Sequence, residues 1–183
     1  MLSLTDTIFT NLGEIFISSA QQLGFHRSRF ETKSLYQRAC SQALIKKSIG
    51  DYRLIQDSNG APLLEDNPEQ HISISHSQNL FVLYVSSVCH VGVDIELYNR
   101  NLDSGKTYFL NSFELSVSWS EKDLYLIWCV KEVYYKMNRG KIKMVYDKIS
   151  IHHITRNTVI AFCEDTIIKF YYKWIGDACI VYS

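Results

Sequence analysis

The chain has 183 residues, of which 46% are hydrophobic and 21% are charged, a composition that excludes a disordered chain. This length allows one sizeable core, or two small lobes that share an interface. Lysine plus arginine number 19, as do aspartate plus glutamate, so no overall field would draw the protein to nucleic acid or to a membrane, and we expect neither as a partner.

The first half of the chain reads as helices followed by strands. Helix-like spacing of apolar residues covers Leu2 to Gly24, and a second helix over Thr32 to Ile49 ends at Gly50. Ser58-Asn59-Gly60 predicts a turn. Alternating segments rich in β-branched residues then predict three strands, at 71–75, 81–86 and 91–97.

The second half repeats this order after a polar stretch from Asn99 to Lys106. It contains a short helix around Ser112–Ser116, a long helix over 123–139, and strands near 149–154, 159–163, 167–174 and 178–182. Helices followed by antiparallel strands, twice, predict an α+β fold with two similar lobes, residues 1–98 and 99–183, in one compact unit.

The five cysteines are odd in number and include no Cys-x-x-Cys pair, which argues against a disulfide framework and a zinc site. The first twenty residues lack the basic start of a secretory signal. No apolar run approaches the length of a membrane span. We therefore predict a cytoplasmic protein, and we expect a monomer.

Carboxylates occur in a pattern that suits a metal ion. Along Val91–Leu97 alternate side chains take opposite faces, so Asp94 and Glu96 share one face. The long helix carries Lys131 and Glu132 among apolar residues. Three carboxylates on two rigid elements suit a hard cation such as Mg²⁺.

Each of these features also has a plainer interpretation. An isolated Asp-x-Glu is more often a solvated strand face, and Glu132 with Lys136 is more often a surface helix pair. Arg38 by itself reads as a solvated arginine, and His76 as a structural histidine. The joint occurrence of the motifs favours the metal site over these alternatives.

Together the motifs resemble the 4′-phosphopantetheinyl transferase superfamily, of the surfactin-synthetase-activating type. The resemblance runs from about Arg29 to Gly140. It rests on five segments in order: Arg29-Phe30 with Arg38, Ser73-Ile74-Ser75-His76-Ser77, Gly92-Val93-Asp94-Ile95-Glu96, Phe109 to Glu114, and Trp128 with Lys131, Glu132 and Lys136.

The resemblance implies a fold, a reaction and a set of site residues. It implies two lobes in a pseudo-twofold arrangement with the active site in the cleft between them. The implied reaction moves the phosphopantetheine group of coenzyme A to a serine of an apo-acyl or apo-peptidyl carrier protein. The implied residues are Asp94, Glu96 and Glu132 for Mg²⁺, with Asp94, Lys131 and Glu132 catalytic, and Arg38, Ser75, His76, Lys131 and Lys136 for coenzyme A.

Two departures from the family pattern concern coenzyme A binding. Gly60-Ala61-Pro62 stands where many relatives have Gly-Lys-Pro, and lysines that often precede the Arg29-Phe30 segment are absent.

Two alternative functions stay open: a catalytically idle relative that binds coenzyme A or a nucleotide, and a Mg²⁺-dependent phosphodiesterase that uses the same carboxylates with water as the nucleophile. The sequence does not name the carrier.

Overall fold

The structure is a computed structural model that describes residues 6–98, 102–142 and 145–183, without the side chain of Val145. These residues form eleven strands and five α-helices. The helices are α1 (Lys33–Ile49), α2 (Lys106–Phe109), α3 (Ser112–Leu115), α4 (Glu121–Met137) and α5 (Val145–Lys148). The strands are β1 (Asp6–Phe9), β2 (Glu14–Ser19), β3 (Leu54–Gln56), β4 (Pro62–Leu64), β5 (His71–Ser77), β6 (Leu80–Ser86), β7 (Val93–Leu97), β8 (Ile149–Ile154), β9 (Thr158–Cys163), β10 (Thr166–Ile175) and β11 (Ala178–Tyr182).

All strand pairs are antiparallel, and the strands form two larger sheets and one hairpin. The first sheet has the order β1-β2-β6-β5, the second has the order β7-β11-β10-β9-β8, and β3 pairs with β4. The predicted α+β class is confirmed, because helices and antiparallel sheets share one chain without parallel crossovers.

The predicted helix from Leu2 to Gly24 is wrong wherever the structure describes it. Residues 6–19 form the hairpin of β1 and β2 instead, and residues 2–5 lie outside the described ranges. Ile15 and Ile17 alternate into the core, while β2 pairs along its whole length with β6. This pairing joins distant parts of the chain, so it overrides the local helix-like spacing.

Both long helices begin and end near their predicted positions, because local capping fixes their limits. Thr32 caps α1 by accepting a hydrogen bond from the Leu35 amide, and Gly50 follows its last residue with a positive φ of 112°. Ser120 and Asp123 form a capping box at the start of α4.

Strand β7 links the two halves of the chain. The sequence predicts that its residues belong to the N-terminal lobe, yet β7 hydrogen-bonds to β11 at the edge of the second sheet. The predicted boundary between residues 98 and 99 adjoins residues 99–101, which lie outside the described ranges. The later part of the polar stretch forms a short 3₁₀ turn over Asp103–Gly105, followed by α2.

Each long helix covers a sheet and builds a core with it. Leu44 and Ile45 of α1 pack with Phe81 and Leu83 of β6. Buried residues of α4 cluster with strands of the second sheet. Across the described ranges, no helix combines the length and the apolar character needed to cross a membrane.

Candidate functional site

The glycine at the start of the first motif allows a strand and a helix to approach closely. A Cβ atom on Gly92 would lie 2.4 Å from the backbone oxygen of Val133 in α4, and 2.8 Å from Cγ of Met137. A side chain here would push β7 away from α4. Gly92 therefore brings the carboxylates of β7 beside the charged residues of α4.

Asp94 lies at the centre of this contact and is only 4% exposed. Its Oδ1 accepts hydrogen bonds from Lys136 Nζ and from Ser75 Oγ, both at 2.6 Å. Its Oδ2 is buried and has no hydrogen-bond partner within the described residues. The plainer interpretation of Asp94 as a solvated residue is therefore wrong.

Lys136 occupies the inner side of α4 rather than the surface. Its Nζ also donates to the backbone oxygen of Val93, at 3.0 Å. The same amino group therefore binds both the backbone of β7 and the side chain of Asp94. Glu132 lies four residues earlier, on the same helical face. The two residues are therefore not an isolated surface pair.

Burial and charge both act on Glu132. Burial, together with the nearby negative charge of Asp94, raises the pKa of Glu132, while Lys136 and a hydrogen bond from Tyr146 partly oppose this rise. The Tyr146 hydroxyl donates to Oε1 of Glu132 at 2.9 Å. The charge of Asp94 thus acts on Glu132 across the contact between β7 and α4.

Alternate serines of β5 contact β7. Ser75 donates to Asp94, and Ser77 donates to Oε2 of Glu96 at 2.8 Å. Ser75 is buried and is not among the residues that line the adjoining cleft. Its predicted role as a phosphate ligand is not supported by this geometry, because its hydroxyl already donates to a carboxylate.

Lys131 does not face the phosphates, contrary to the expectation from the resemblance. Its side chain is 0% exposed and forms an ion pair with Glu114, also 0% exposed, at 2.5 Å. Nζ donates further to the backbone oxygens of Phe109 and Tyr146, at 2.6 and 2.9 Å. Helical geometry explains the difference, because adjacent residues of a helix point about 100° apart, so Lys131 and Glu132 take different sides of α4.

Glu114 uses its remaining acceptor positions to hold other parts of the chain. It accepts hydrogen bonds from the Asn111 amide, closing the capping box of α3, and from the Ile151 amide of β8. Lys131 and Glu114 together fix α3 and β8 to α4. These two residues hold the neighbouring elements in place and do not line the cleft.

A cleft of about 480 Å³ opens beside Lys136. This volume lies within the range of small-molecule sites. The cleft receives side chains from α1, from the β3–β4 turn, from β5 and from the end of α4, including Arg38, Ala61, His76, Lys136 and Arg139. Among the described residues that line it, none is an aspartate or a glutamate. The described lining thus carries three cationic side chains, Arg38, Lys136 and Arg139, which suits an anionic ligand, although Lys136 and Arg139 also form ion pairs with Asp94 and Asp57.

His76 lines this cleft from β5. Burial is the main cause that lowers the pKa of His76, and the charge of Lys136 adds to the effect. Its Nδ1 lies 3.4 Å from Nε2 of Gln37, which α1 supplies. A bound phosphate would favour the protonated form of this imidazole.

An ion pair joins the β3–β4 turn to Arg139, which lines the cleft. Nε and Nη2 of Arg139 both donate to Oδ2 of Asp57, at 3.2 and 2.7 Å. Oδ1 of Asp57 accepts from the amides of Asn59 and Ala61. The hydrogen bond from Arg139 is the main cause that lowers the pKa of Asp57.

The chain matches no protein-family model and no curated protein. The residues of the site therefore carry the functional argument.

The carboxylates fit a divalent cation in part. Within residues 6–98, 102–142 and 145–183, no group of three or more His, Cys, Asp or Glu side chains is arranged to hold a metal ion. The partnerless Oδ2 of Asp94 and the repulsion between Asp94 and Glu132 nevertheless describe a pair that a hard cation would satisfy. Glu96 lies on the same strand, bonded to Ser77. The three-carboxylate set stays a prediction.

Several residues of the site could not be assigned from the sequence. Tyr146 reaches Glu132 from α5, and the Asp57–Arg139 pair joins residues far apart in the chain. For Ser75 and Ser77 the sequence carried one signal, their spacing of two along a predicted strand, which places them on one face.

Proposed function

We propose that this protein transfers the 4′-phosphopantetheine group of coenzyme A to a serine of an apo-acyl or apo-peptidyl carrier protein. The observation that carries the proposal is a buried carboxylate, Asp94, whose ion pair with Lys136 adjoins a cleft lined by cations and by no acidic side chain. Coenzyme A offers that cleft two kinds of anion, a pyrophosphate and a 3′-phosphate. Phosphoryl-centre transfer needs alignment and charge neutralisation more than covalent chemistry from the protein.

In this reaction the serine oxygen forms a bond to the β-phosphorus of coenzyme A. The bond from that phosphorus to the bridging oxygen breaks, and adenosine 3′,5′-bisphosphate leaves with the electron pair. The serine proton goes to Glu132, directly or through a water. A raised pKa suits a carboxylate to this task at neutral pH.

Asp94, Glu132 and Glu96 are the residues that would hold Mg²⁺. When bound, the ion would supply positive charge to the pyrophosphate oxygens. Lys136 could then bind a phosphate of coenzyme A as well as Asp94, since its side chain pairs with Asp94 and also lines the cleft. Arg38 and His76 line the part of the cleft formed by α1 and β5, and in this proposal they bind the 3′-phosphate.

The same proposal includes the finer fold. Each large sheet is covered by a helix of 17 residues, α1 or α4, which supports two similar lobes in a pseudo-twofold arrangement, as in the 4′-phosphopantetheinyl transferase fold. The carrier would approach over α2 and α3, where Tyr108, Phe113, Leu115 and Val117 are exposed.

Mass spectrometry of an apo-carrier protein incubated with coenzyme A and Mg²⁺ tests the function. The carrier should gain the mass of one phosphopantetheine group, and Asp94→Ala should not support this gain. A small panel should include fatty-acid, polyketide and peptide-synthetase carriers. Cleaved coenzyme A with unmodified carriers would instead indicate a phosphodiesterase. Bound but intact coenzyme A across the panel would indicate an idle relative.

A further inference from the structure

Side-chain hydroxyls join the two large sheets at the site. Strand β5 is an edge of the first sheet and β7 is an edge of the second, and the two are not paired through their backbones. Three serines of β5 bridge them instead. Ser73, Ser75 and Ser77 alternate along the strand, so all three point to the same side.

Each serine makes a distinct contact with β7. Ser73 Oγ accepts from the Val93 amide at 3.0 Å and touches no carboxylate. Ser75 Oγ donates to Asp94 Oδ1 at 2.6 Å. Ser77 Oγ donates to Glu96 Oε2 at 2.8 Å and accepts from the Leu97 amide at 3.1 Å. The register thus matches Ser75 to Asp94 and Ser77 to Glu96, and it matches Ser73 to the backbone of β7.

We infer that Ser75 and Ser77 are positioning residues that orient the carboxylates of Asp94 and Glu96 for a divalent cation. The inference rests on the proposed function for the identity of the ion. Its structural basis is that the two carboxylate oxygens of Asp94 have different contacts. Ser75 and Lys136 both donate to Oδ1, which leaves the buried Oδ2 without a hydrogen bond from the described residues. A carboxylate held by one oxygen presents the other to a ligand in a fixed direction.

The geometry distinguishes orientation from simple attachment of the sheets. A buried acceptor with no partner costs about 1–3 kcal/mol, which is tolerated where the atom serves a ligand. If the serines only joined the sheets, all three would contribute alike. Ser73 is therefore a matched control, because it lies on the same face, is buried, and bonds only to the backbone.

Calorimetric titration with Mn²⁺, without coenzyme A or carrier, tests the inference on the full-length protein. Ser75→Ala and Ser77→Ala should each weaken Mn²⁺ binding by about 10- to 100-fold, the usual loss for a residue that orients a metal ligand. Ser73→Ala should leave the affinity within about threefold of the wild type. Ser75→Thr, which keeps the hydroxyl, should restore most of the affinity lost in Ser75→Ala. Thermal unfolding of each variant reports whether it is folded.

The inference would be overturned by equal Mn²⁺ affinities in Ser75→Ala and wild type, or by equal losses in all three alanine variants. A wild type that binds no Mn²⁺ at millimolar concentration would do the same. Because this readout needs neither substrate, it separates the inference from the proposed function. Normal metal orientation with no carrier modification would refute only the transfer activity.

Discussion

Arg38 is the residue of the cleft whose role can be measured most directly with a substrate analogue. It extends from the exposed side of α1 and lines the cleft near His76. Arg38→Ala should weaken coenzyme A by about 10-fold, because a charge-assisted hydrogen bond to the 3′-phosphate is lost at an exposed, partly screened position. Dephospho-coenzyme A, which lacks that phosphate, should be unaffected. The measurement is kcat/KM for both substrates.

Lys47→Ala is the matched control for Arg38→Ala. Lys47 is an exposed cation on the same helix and does not line the cleft. It should change neither ratio. Equal losses on both substrates in Arg38→Ala would place the 3′-phosphate contact elsewhere.

Glu132 illustrates how a buried carboxylate lowers stability. Its folded pKa lies above its usual value, so its ionisation costs stability as the pH rises through that pKa. Glu132→Gln should therefore be more stable than the wild type at pH 7 in metal-free buffer. The advantage should vanish below about pH 4.3, where glutamate is protonated in both states. Urea unfolding of both proteins across this range measures the difference.

The same variant should lose about 10²-fold or more in transfer, because the base and a metal ligand are removed together. Glu69→Gln serves as the control, since Glu69 is exposed and does not line the cleft. A wild type that is more stable than Glu132→Gln at pH 7 would contradict the burial argument.

At the scale of elements, the approach of β7 to α4 depends on the absence of one side chain. Gly92→Ala would place a Cβ atom 2.4 Å from the Val133 backbone oxygen, so strand or helix must shift. Overpacking of this kind costs about 1–3 kcal/mol. Gly105→Ala is the control, because a Cβ atom there meets no heavy atom within 4 Å and its φ is −111°. Equal unfolding midpoints for the two variants would show that the contact relaxes freely.

The Lys131–Glu114 pair is the second feature that fixes α4. Lys131→Met should cost about 3–5 kcal/mol, because it leaves the carboxylate of Glu114 buried without its cation. Burial lowers the pKa of Lys131, so the charge of this lysine also depends on its partner. The double variant Lys131→Met/Glu114→Gln should recover part of the loss, since no buried charge remains.

Urea unfolding of the two single variants and the double variant completes this cycle. Lys47→Met, at an exposed position, should change the unfolding free energy by less than about 0.5 kcal/mol. A double variant no more stable than Lys131→Met would mean that packing, and not the unpaired charge, dominates the cost.

For the molecule as a whole, the sequence predicted what local patterns determine. The limits of α1 and α4 follow from Thr32, Gly50 and Ser120, which act within one turn of their own helix. The faces of β7 follow from its alternation: Val93 and Ile95 are buried in the core, and Asp94 and Glu96 share the other side.

The sequence could not predict features that depend on distant partners. The hairpin at residues 6–19 forms because β2 pairs with β6, more than sixty residues later. Lys131 does not line the cleft, because its Nζ donates to Glu114 and to the backbone oxygens of Phe109 and Tyr146. Ser75 bonds to Asp94 because two sheets meet edge to edge, which no periodicity reports.

At the scale of the whole molecule, one ion pair joins two parts of the cleft lining, the β3–β4 turn and Arg139, which are about eighty residues apart in the chain. Asp57 organises the β3–β4 turn through the amides of Asn59 and Ala61 and binds Arg139 beyond the end of α4. Asp57→Ala should release the turn and raise KM for coenzyme A by about 5- to 10-fold, about 1–1.4 kcal/mol, with little change in kcat. Asp51→Ala removes an exposed ion pair with Lys46, away from the cleft, and should leave KM unchanged. Steady-state kinetics at saturating carrier decide the matter: a fall in kcat at constant KM would show that the ion pair serves the reacting end of the site rather than the binding of coenzyme A.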